Sequence, residues 1–389
     1  MRILLFSSLY PNDENQQHGI FVENCMRHLI RDTDTEVTVI APVPWFPFRA
    51  SVFGQYGSYA RVPRHDERYG IKIYHPKFLV LPKIGMTLAP KTMAMAGLDC
   101  AKRLMAKGAA FDVICAQYFY PDGVAATKIG KKLGLPVTIT ALGSDINVIA
   151  RYEKPRRMML QASEDAGQMM AVSAALRNSM IDTGMPAEKI SVLRNGIDLD
   201  VFHPVARDDA RSSFNVSSNS TCIFVGNLVP LKRVDLIIEA VASVDGGTLL
   251  IAGDGPEKEN LQALAARLGV TDRVRFLGRL AAGEVVRLCS AADALLLASE
   301  SEGWPNVLLE AMACGTPVVA VDVGGVREII KAPEAGIVVA ERSASALATG
   351  LKRLFSNRPD RAATRRYAEG FSWHATSLAQ RRIFDGLRR

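Results

Sequence analysis

The chain has 389 residues, enough for two domains of ordinary size that each bury a core. Hydrophobic residues make up 48% and charged residues 22%, a balance that excludes a disordered chain. The net charge of +7 suits an anionic partner or surface but is too small for a dedicated nucleic-acid binder.

Strands and helices alternate from one end to the other, the pattern of α/β layering on parallel sheets. Ile3–Ser7 is predicted as the first strand, since its apolar run is too short for a signal peptide. A polar loop runs to Gly19, a helix covers Phe21–Ile30, and Glu36–Ile40 is the next strand. Residues 45–70 show no clear period and are expected to form a long, partly mobile loop before a short strand at Ile71–His75. In 77–107, methionines and other apolar residues alternate with lysines. That stretch is either an interfacial segment meeting anionic lipid or a helix packed on the sheet with its lysines outward. Asp112–Ala116, Pro136–Thr140, Gln168–Val172 and Lys189–Leu193 complete the strands of this half. A polar, irregular stretch through Asn219 reads as an interdomain linker.

The second half restarts at Thr221–Gly226, with a helix from about Arg233. Further strands are predicted at Thr248–Ala252, Val274–Leu277, Ala294–Ala298 and Pro317–Val321. The tail from Pro359 to Arg389 reads as helical, anchored by Trp373 and Phe384. No run approaches the roughly 20 apolar residues of a membrane span. The six cysteines are scattered without a C-x-x-C pair, so a reduced, cytoplasmic compartment is expected.

The histidines show no metal-ligand spacing, and neither a P-loop nor a nucleophile elbow is present. Asp198-Leu-Asp200 could hold a divalent cation, but it lies where the domain connection begins and reads as a turn. What remains clusters at strand ends, where open α/β sheets bind ligands. Gly226 is followed by Lys232 and Arg233, and Gly253 and Gly278 follow the next two strands. Gly324 and Gly325 close the row. Between them Ser299–Gly325 reads as loop, helix, turn and strand, with Pro305 at the first helical position, Glu302 before it and Glu310 within it. Free N–H groups of that first turn could seat a phosphate or a sugar hydroxyl. Two solvated glutamates on a surface helix are the plain alternative. The row as a whole reads as one site for an anionic, hydroxyl-rich ligand such as a nucleotide sugar.

The string E-G-W-P-N-V-L-L-E-A-M-A-C-G-T-P-V-V-A resembles the E-x7-E signature of the retaining family 4 glycosyltransferases, which have the GT-B fold. The likeness extends to His18–Val22, Ala141–Asp145, Ala171–Arg177, Arg194–Asp198, G-N-L-x-x-x-K, A-G-D-G-P and V-x-F-L-G. It implies two doubly wound Rossmann-like domains facing each other across a cleft. Residues 1–200 would bind the acceptor and 201–370 the nucleotide sugar, with 371–389 a helix crossing back to the first domain.

The resemblance also implies site roles. Glu310 would hold the ribose hydroxyls and Glu302 the transferred sugar, with the backbone of Gly303, Trp304, Pro305, Asn306 and Val307 nearby. Lys232, together with Arg233, would neutralise the departing diphosphate, and Phe276 and Leu277 would meet the base. Gly19, Gly226, Asn227 and Gly253 would lie near the donor. Glu302, Lys232 and Asp145 form the implied catalytic set, with no metal and no cofactor beyond the nucleotide-sugar co-substrate. Two departures stand out: Asn227 replaces a common arginine, and Leu142 replaces a common histidine. The expected reaction moves a hexosyl unit from a UDP- or GDP-sugar to a glycan or lipid-linked acceptor, in polysaccharide or glycoconjugate biosynthesis. An anionic membrane surface is a further expected partner, with the protein peripheral at the inner face of the membrane. A nucleotide-sugar epimerase and a non-catalytic nucleotide-sugar-binding subunit are the alternatives.

Overall fold

The computed structural model describes residues 1–80, 85–217 and 220–388. It divides into two compact units, Met1–Arg194 with Trp373–Arg389, and Asn195–Ser372. The strands of the first unit are β1 (Arg2–Phe6), β2 (Glu36–Ile40), β3 (Val43–Pro44), β4 (His65–Arg68), β5 (Ile71–Tyr74), β6 (Lys77–Phe78), β7 (Val113–Gln117), β8 (Val137–Ala141), β9 (Gln168–Ala171) and β10 (Ile190–Val192). Eight of them form one sheet in the order β10-β9-β8-β7-β1-β2-β5-β4, parallel except for β4. Every residue of β7 and β8 is buried. Strands covered on both faces are buried along their whole length, so V-I-C-A of β7 runs apolar without a break, while β8 (V-T-I-T-A) buries two threonines as well.

The second unit holds β11 (Thr221–Val225), β12 (Thr248–Ala252), β13 (Val274–Gly278), β14 (Ala294–Leu297), β15 (Val318–Val321) and β16 (Gly336–Val339). These lie in the order β13-β12-β11-β14-β15-β16, all parallel. The order reverses direction between β11 and β14, and in the first unit between β1 and β7. Such switch points leave a crevice beyond the carboxyl ends of the strands, where the flanking loops diverge.

Several expectations are corrected. Residues 45–70 are not a long loop: they contain the helix Gly54–Arg61 and the antiparallel edge strand β4, while β3 pairs with β6. The sequence H-D-E-R of β4 carries no apolar signal because an edge strand that is half exposed needs none. The stretch 77–107 forms the helix Gly85–Ala106, burying Met93, Ala94, Cys100 and Ala101 with Lys91 and Lys102 exposed. Its residues 81–84 lie outside the described ones. The supposed linker contains the helix Arg207–Ser213, tied to the body of its unit where Arg207 bonds Asp293 at 2.5 Å. Residues 218–219 at its end lie outside the described residues. The tail is broken into Arg361–Glu369, in the second unit, and Trp373–Asp385, in the first.

Among the described residues no helix is long and apolar enough to cross a membrane.

Candidate functional site

At the switch point of the second unit, two loops bring opposite charges together. The loop after β11 ends in a short turn at Pro230–Lys232, and the loop after β14 carries Glu302. Lys232 Nζ donates to Glu302 Oε1 at 2.6 Å. Both side chains retain some exposure, 26% for Lys232 and 11% for Glu302, so the pair borders solvent at the end of the sheet. A second backbone tie, Glu300 N–H to the Leu231 carbonyl at 2.8 Å, locks the two loops. Lys232 and Glu302 are far apart in sequence, and only the order of the strands makes them partners.

Neighbouring loops are stitched to this pair in sheet order. Gly226 N–H donates to Ala252, Leu228 N–H to Asp254, and Gly253 N–H to Gly278. Gly253 has φ +156°, and an added Cβ would lie 1.8 Å from the Gly226 carbonyl oxygen. The contact therefore demands a residue without a side chain. Phe276 and Leu277, on the edge strand β13, are half-buried, while Asn227 is exposed. Arg233 adopts φ +47° before the helix Val234–Ala242 and pairs with Asp235 at 2.8 Å and Glu300 at 3.4 Å. Two carboxylates thus already compensate its charge.

The helix bearing Glu310 runs from Asn306 to Ala313, so Pro305 caps it instead of occupying its first turn. Gly303, Trp304 and Pro305 are buried, whereas Asn306 and Val307 are partly exposed. Asn306 Oδ1 accepts from Asn195 Nδ2 at 3.3 Å, and the Trp304 ring lies 6.2 Å from that of Phe371. Glu310 is half-buried, and its carboxylate accepts no hydrogen bond from any described residue. Loss of water around it pushes its pKa up to about 7.

Two arginines that the sequence reading missed hold this helix from its far end. Arg361 donates to the carbonyls of Ala292, Ser290 and Cys314 and to Thr316 Oγ1, all within 3.1 Å. Arg365 reaches the Ala313 carbonyl at 2.8 Å. Carbonyls at a helix end lack intrahelical donors, and a cation there also complements the helix dipole. Burial pulls the Arg361 pKa down to about 10. Nothing in R-A-A-T-R beyond two arginines in a polar helix start betrays the role.

In the first unit, Gly19 immediately precedes the helix Ile20–Asp32, and His18 Nε2 lies 3.2 Å from the Ser8 carbonyl. Asp145, expected in the catalytic set, lies where the loops after β7 and β8 meet. It is fully buried, and its carboxylate accepts from the N–H groups of Phe119, Leu142, Gly143 and Ile146 at 2.8 to 3.2 Å. Burial pushes its pKa up while these four donors pull it down. Asp145 thereby ties together the loops after β7 and β8. Asp122 was not anticipated. It accepts from Ser8 N–H and from Ser8 Oγ at the first unit's own switch point, and burial raises its pKa to about 7. The signal was available: Ser7-Ser8 and Tyr118–Asp122 both follow strands flanking the reversal. Ser144 Oγ, exposed, meets the Tyr118 hydroxyl at 2.8 Å.

Asp198 serves a turn. Its Oδ1 accepts from the N–H groups of Asp200 and Val201. The described residues contain no group of three or more His, Cys, Asp or Glu side chains arranged to hold a metal ion.

Two family models match the chain. Residues 19–201 match Glycosyltransferase Family 4, and residues 206–371 match Glycosyl transferases group 1. Among curated relatives, the D-inositol 3-phosphate glycosyltransferase of Frankia alni is 32% identical, over 69% of this chain and 72% of its own length. The putative teichuronic acid biosynthesis glycosyltransferase TuaC of Bacillus subtilis is 28% identical, over 91% and 89%. In fold, the chain is similar to Anabaena HepE in complex with UDP and glucose, with a TM-score of 0.75, 21% identity and complete coverage of both chains. The chain belongs to glycosyltransferase family 4, and it is a glycosyltransferase of the GT-B fold.

Proposed function

We propose that the protein transfers a hexosyl unit from a nucleoside-diphosphate sugar to a hydroxyl of a glycan or lipid-linked acceptor, with retention of anomeric configuration and without a metal. The observation that carries this reading is the Lys232–Glu302 pair at the switch point of the second sheet. A diphosphate leaving group develops negative charge as the glycosidic bond breaks, and a cation held beside the reacting centre stabilises that charge. Lys232 fills this role, and Glu302 keeps its ammonium aimed across the crevice until a donor arrives. Glu302 then positions the sugar, and Glu310 receives the ribose hydroxyls. The UDP and glucose bound to the Anabaena protein support a uridine nucleotide as the first donor base to try. The teichuronic acid relative supports a place in glycoconjugate biosynthesis.

The test is a calorimetric screen of UDP- and GDP-sugars, followed by turnover of the donor that binds. Lys232→Ala is expected to lower turnover about 100- to 1,000-fold, the cost of removing one charge-stabilising donor. Near-normal turnover in this variant would sink the assignment. Product analysis should find the acceptor α- or β-linked as in the donor, unaffected by EDTA. Conversion of the donor sugar with no acceptor present would point to an epimerase instead.

A further inference from the structure

The first unit carries an exposed aromatic cluster that the donor site does not use. After β3 the chain reads W-F-P-F-R-A-S-V-F-G-Q-Y. The rings of Phe46, Phe48, Phe53 and Tyr56 pack on one another, with centroids 5.2 to 5.9 Å apart. Packed rings normally mark a core, yet Phe48 is 56% exposed, Tyr56 52% and Phe53 40%, with Trp45 at 53% and Val52 at 83% beside them. The lobe is held in place by backbone. Trp45 N–H donates to Phe78 at 2.7 Å, and Lys77 Nζ donates to the carbonyls of Tyr59 and Val62 at 2.6 and 2.9 Å. Exposed Leu79 follows directly, and its carbonyl accepts from Thr92 on the helix Gly85–Ala106.

The charge around the rings has one sign. From Ala41 to His65 the chain contains Arg49, Arg61 and Arg64 and no carboxylate. Arg61 is neutralised by Glu14 at 2.5 Å, but Arg49 and Arg64 have no ion-pair partner among the described residues. Both lie close enough to Lys77 to add to the effect of burial, which pulls its pKa down to about 8. A groove of about 380 Å³ beside them is lined by Arg64, Lys77, Arg103 and Lys107 against a single acid, Asp99. A two-fold contact between copies would set this patch against itself and bring like charges together. An anionic bilayer compensates them, and its headgroup layer is where amphipathic rings are most stable.

We infer that the Trp45–Tyr56 lobe is a membrane-docking element that inserts its aromatic side chains among the headgroups of anionic lipid, with Arg49, Arg64 and the adjoining basic groove on the lipid phosphates. This goes beyond the transfer reaction and does not depend on it. The aromatic part of this contact lies outside the alternating 77–107 stretch, which contributes the groove cations Lys77, Arg103 and Lys107.

The chain contains three tryptophans, of which Trp304 and Trp373 are buried, so a lipid-induced emission shift reports Trp45. The full chain is mixed with vesicles of phosphatidylcholine alone or with one-third phosphatidylglycerol. The expected result is a blue shift and co-sedimentation on the anionic vesicles only, both weakened by salt. Arg49→Gln should bind about fivefold more weakly. Phe48→Ser with Phe53→Ser should abolish the shift while leaving donor binding in the second unit unchanged. Val52→Asp, at an exposed position, repeats the test without touching the ring cluster. No shift on anionic vesicles, undiminished binding by Val52→Asp, or a concentration-dependent dimer that hides Trp45 without lipid would each overturn the inference.

Discussion

Glu310 is a carboxyl group that has lost much of its water and gained no donor in exchange, which is why its pKa stands at about 7. For an acid, a folded-state value above the unfolded one near 4.5 means that the unfolded chain ionises first. The wild type therefore loses stability relative to Glu310→Gln as pH rises from about 4.5 to about 7, and the difference is constant above that. Nucleotide binding has the opposite slope. Ribose hydroxyls donate more strongly to a carboxylate than to a carboxylic acid or an amide. Between pH 6 and 8 the wild-type affinity for a nucleoside diphosphate is expected to rise about tenfold relative to Glu310→Gln, measured by calorimetry. Both proteins share the titration of the nucleotide's own phosphate, so the ratio isolates the glutamate. Parallel curves would remove the ribose assignment. Lys232 belongs to the same scale: its partner, not its sequence neighbours, gives it a direction.

Loops at strand ends act as elements because backbone contacts bind them to one another. Gly324 adopts φ +52°, and a Cβ there would lie 2.0 Å from the Glu302 carbonyl oxygen. The loop after β15 thus packs against the backbone of Glu302, while Lys232 holds its carboxylate. Gly324→Ala is expected to destabilise the second unit by about 3 kcal/mol and to depress turnover more than its loss of stability explains. Gly269→Ala is the control. It has φ +67° and open space around the Cβ position, so it should cost about 1 kcal/mol of left-handed strain with turnover intact. Equal thermal and kinetic losses in the two variants would show that the contact with Glu302 is not felt. At the other end of the same helix, Arg361 and Arg365 do by hydrogen bonding what a cap does elsewhere.

The chain as a whole is two cores with one segment exchanged. The helix Trp373–Asp385 completes the first unit, although the residues just before it belong to the second. Trp373 is buried and stacks on His28 with ring centroids 5.4 Å apart, while Phe384 is fully buried in the same core. Trp373→Ala should cost the first unit about 3 to 5 kcal/mol, the usual range for emptying a large aromatic site. In a calorimetric scan with nucleotide present, the transition of the first unit is expected to fall while that of the second holds its temperature. A uniform shift of both would refute that division of the stability. The net charge of +7 is a property at this scale too, and three of the cations behind it, Arg49, Arg64 and Lys77, stand near one another.

The α/β class, the row of strand-end loops and the stretch around Glu302 and Glu310 were determined by the sequence alone. Buried parallel strands are mostly apolar, and loops that meet backbone to backbone need glycine, so both leave marks that need no coordinates. The four N–H groups around Asp145 were not legible, because a conspicuous polar residue looks the same in sequence whatever it faces. Asp122, Arg361 and the aromatic lobe were missed because their significance lies in what stands opposite them. Only the tertiary structure decided which strands flank each reversal of the sheet. Within Ser299–Gly325, Glu302 and Glu310 are in the sequence only a spacing along a chain. The strand order turned the first into the partner of Lys232 and left the second half-buried without a donor, because sheet topology sets neighbours that sequence separation cannot.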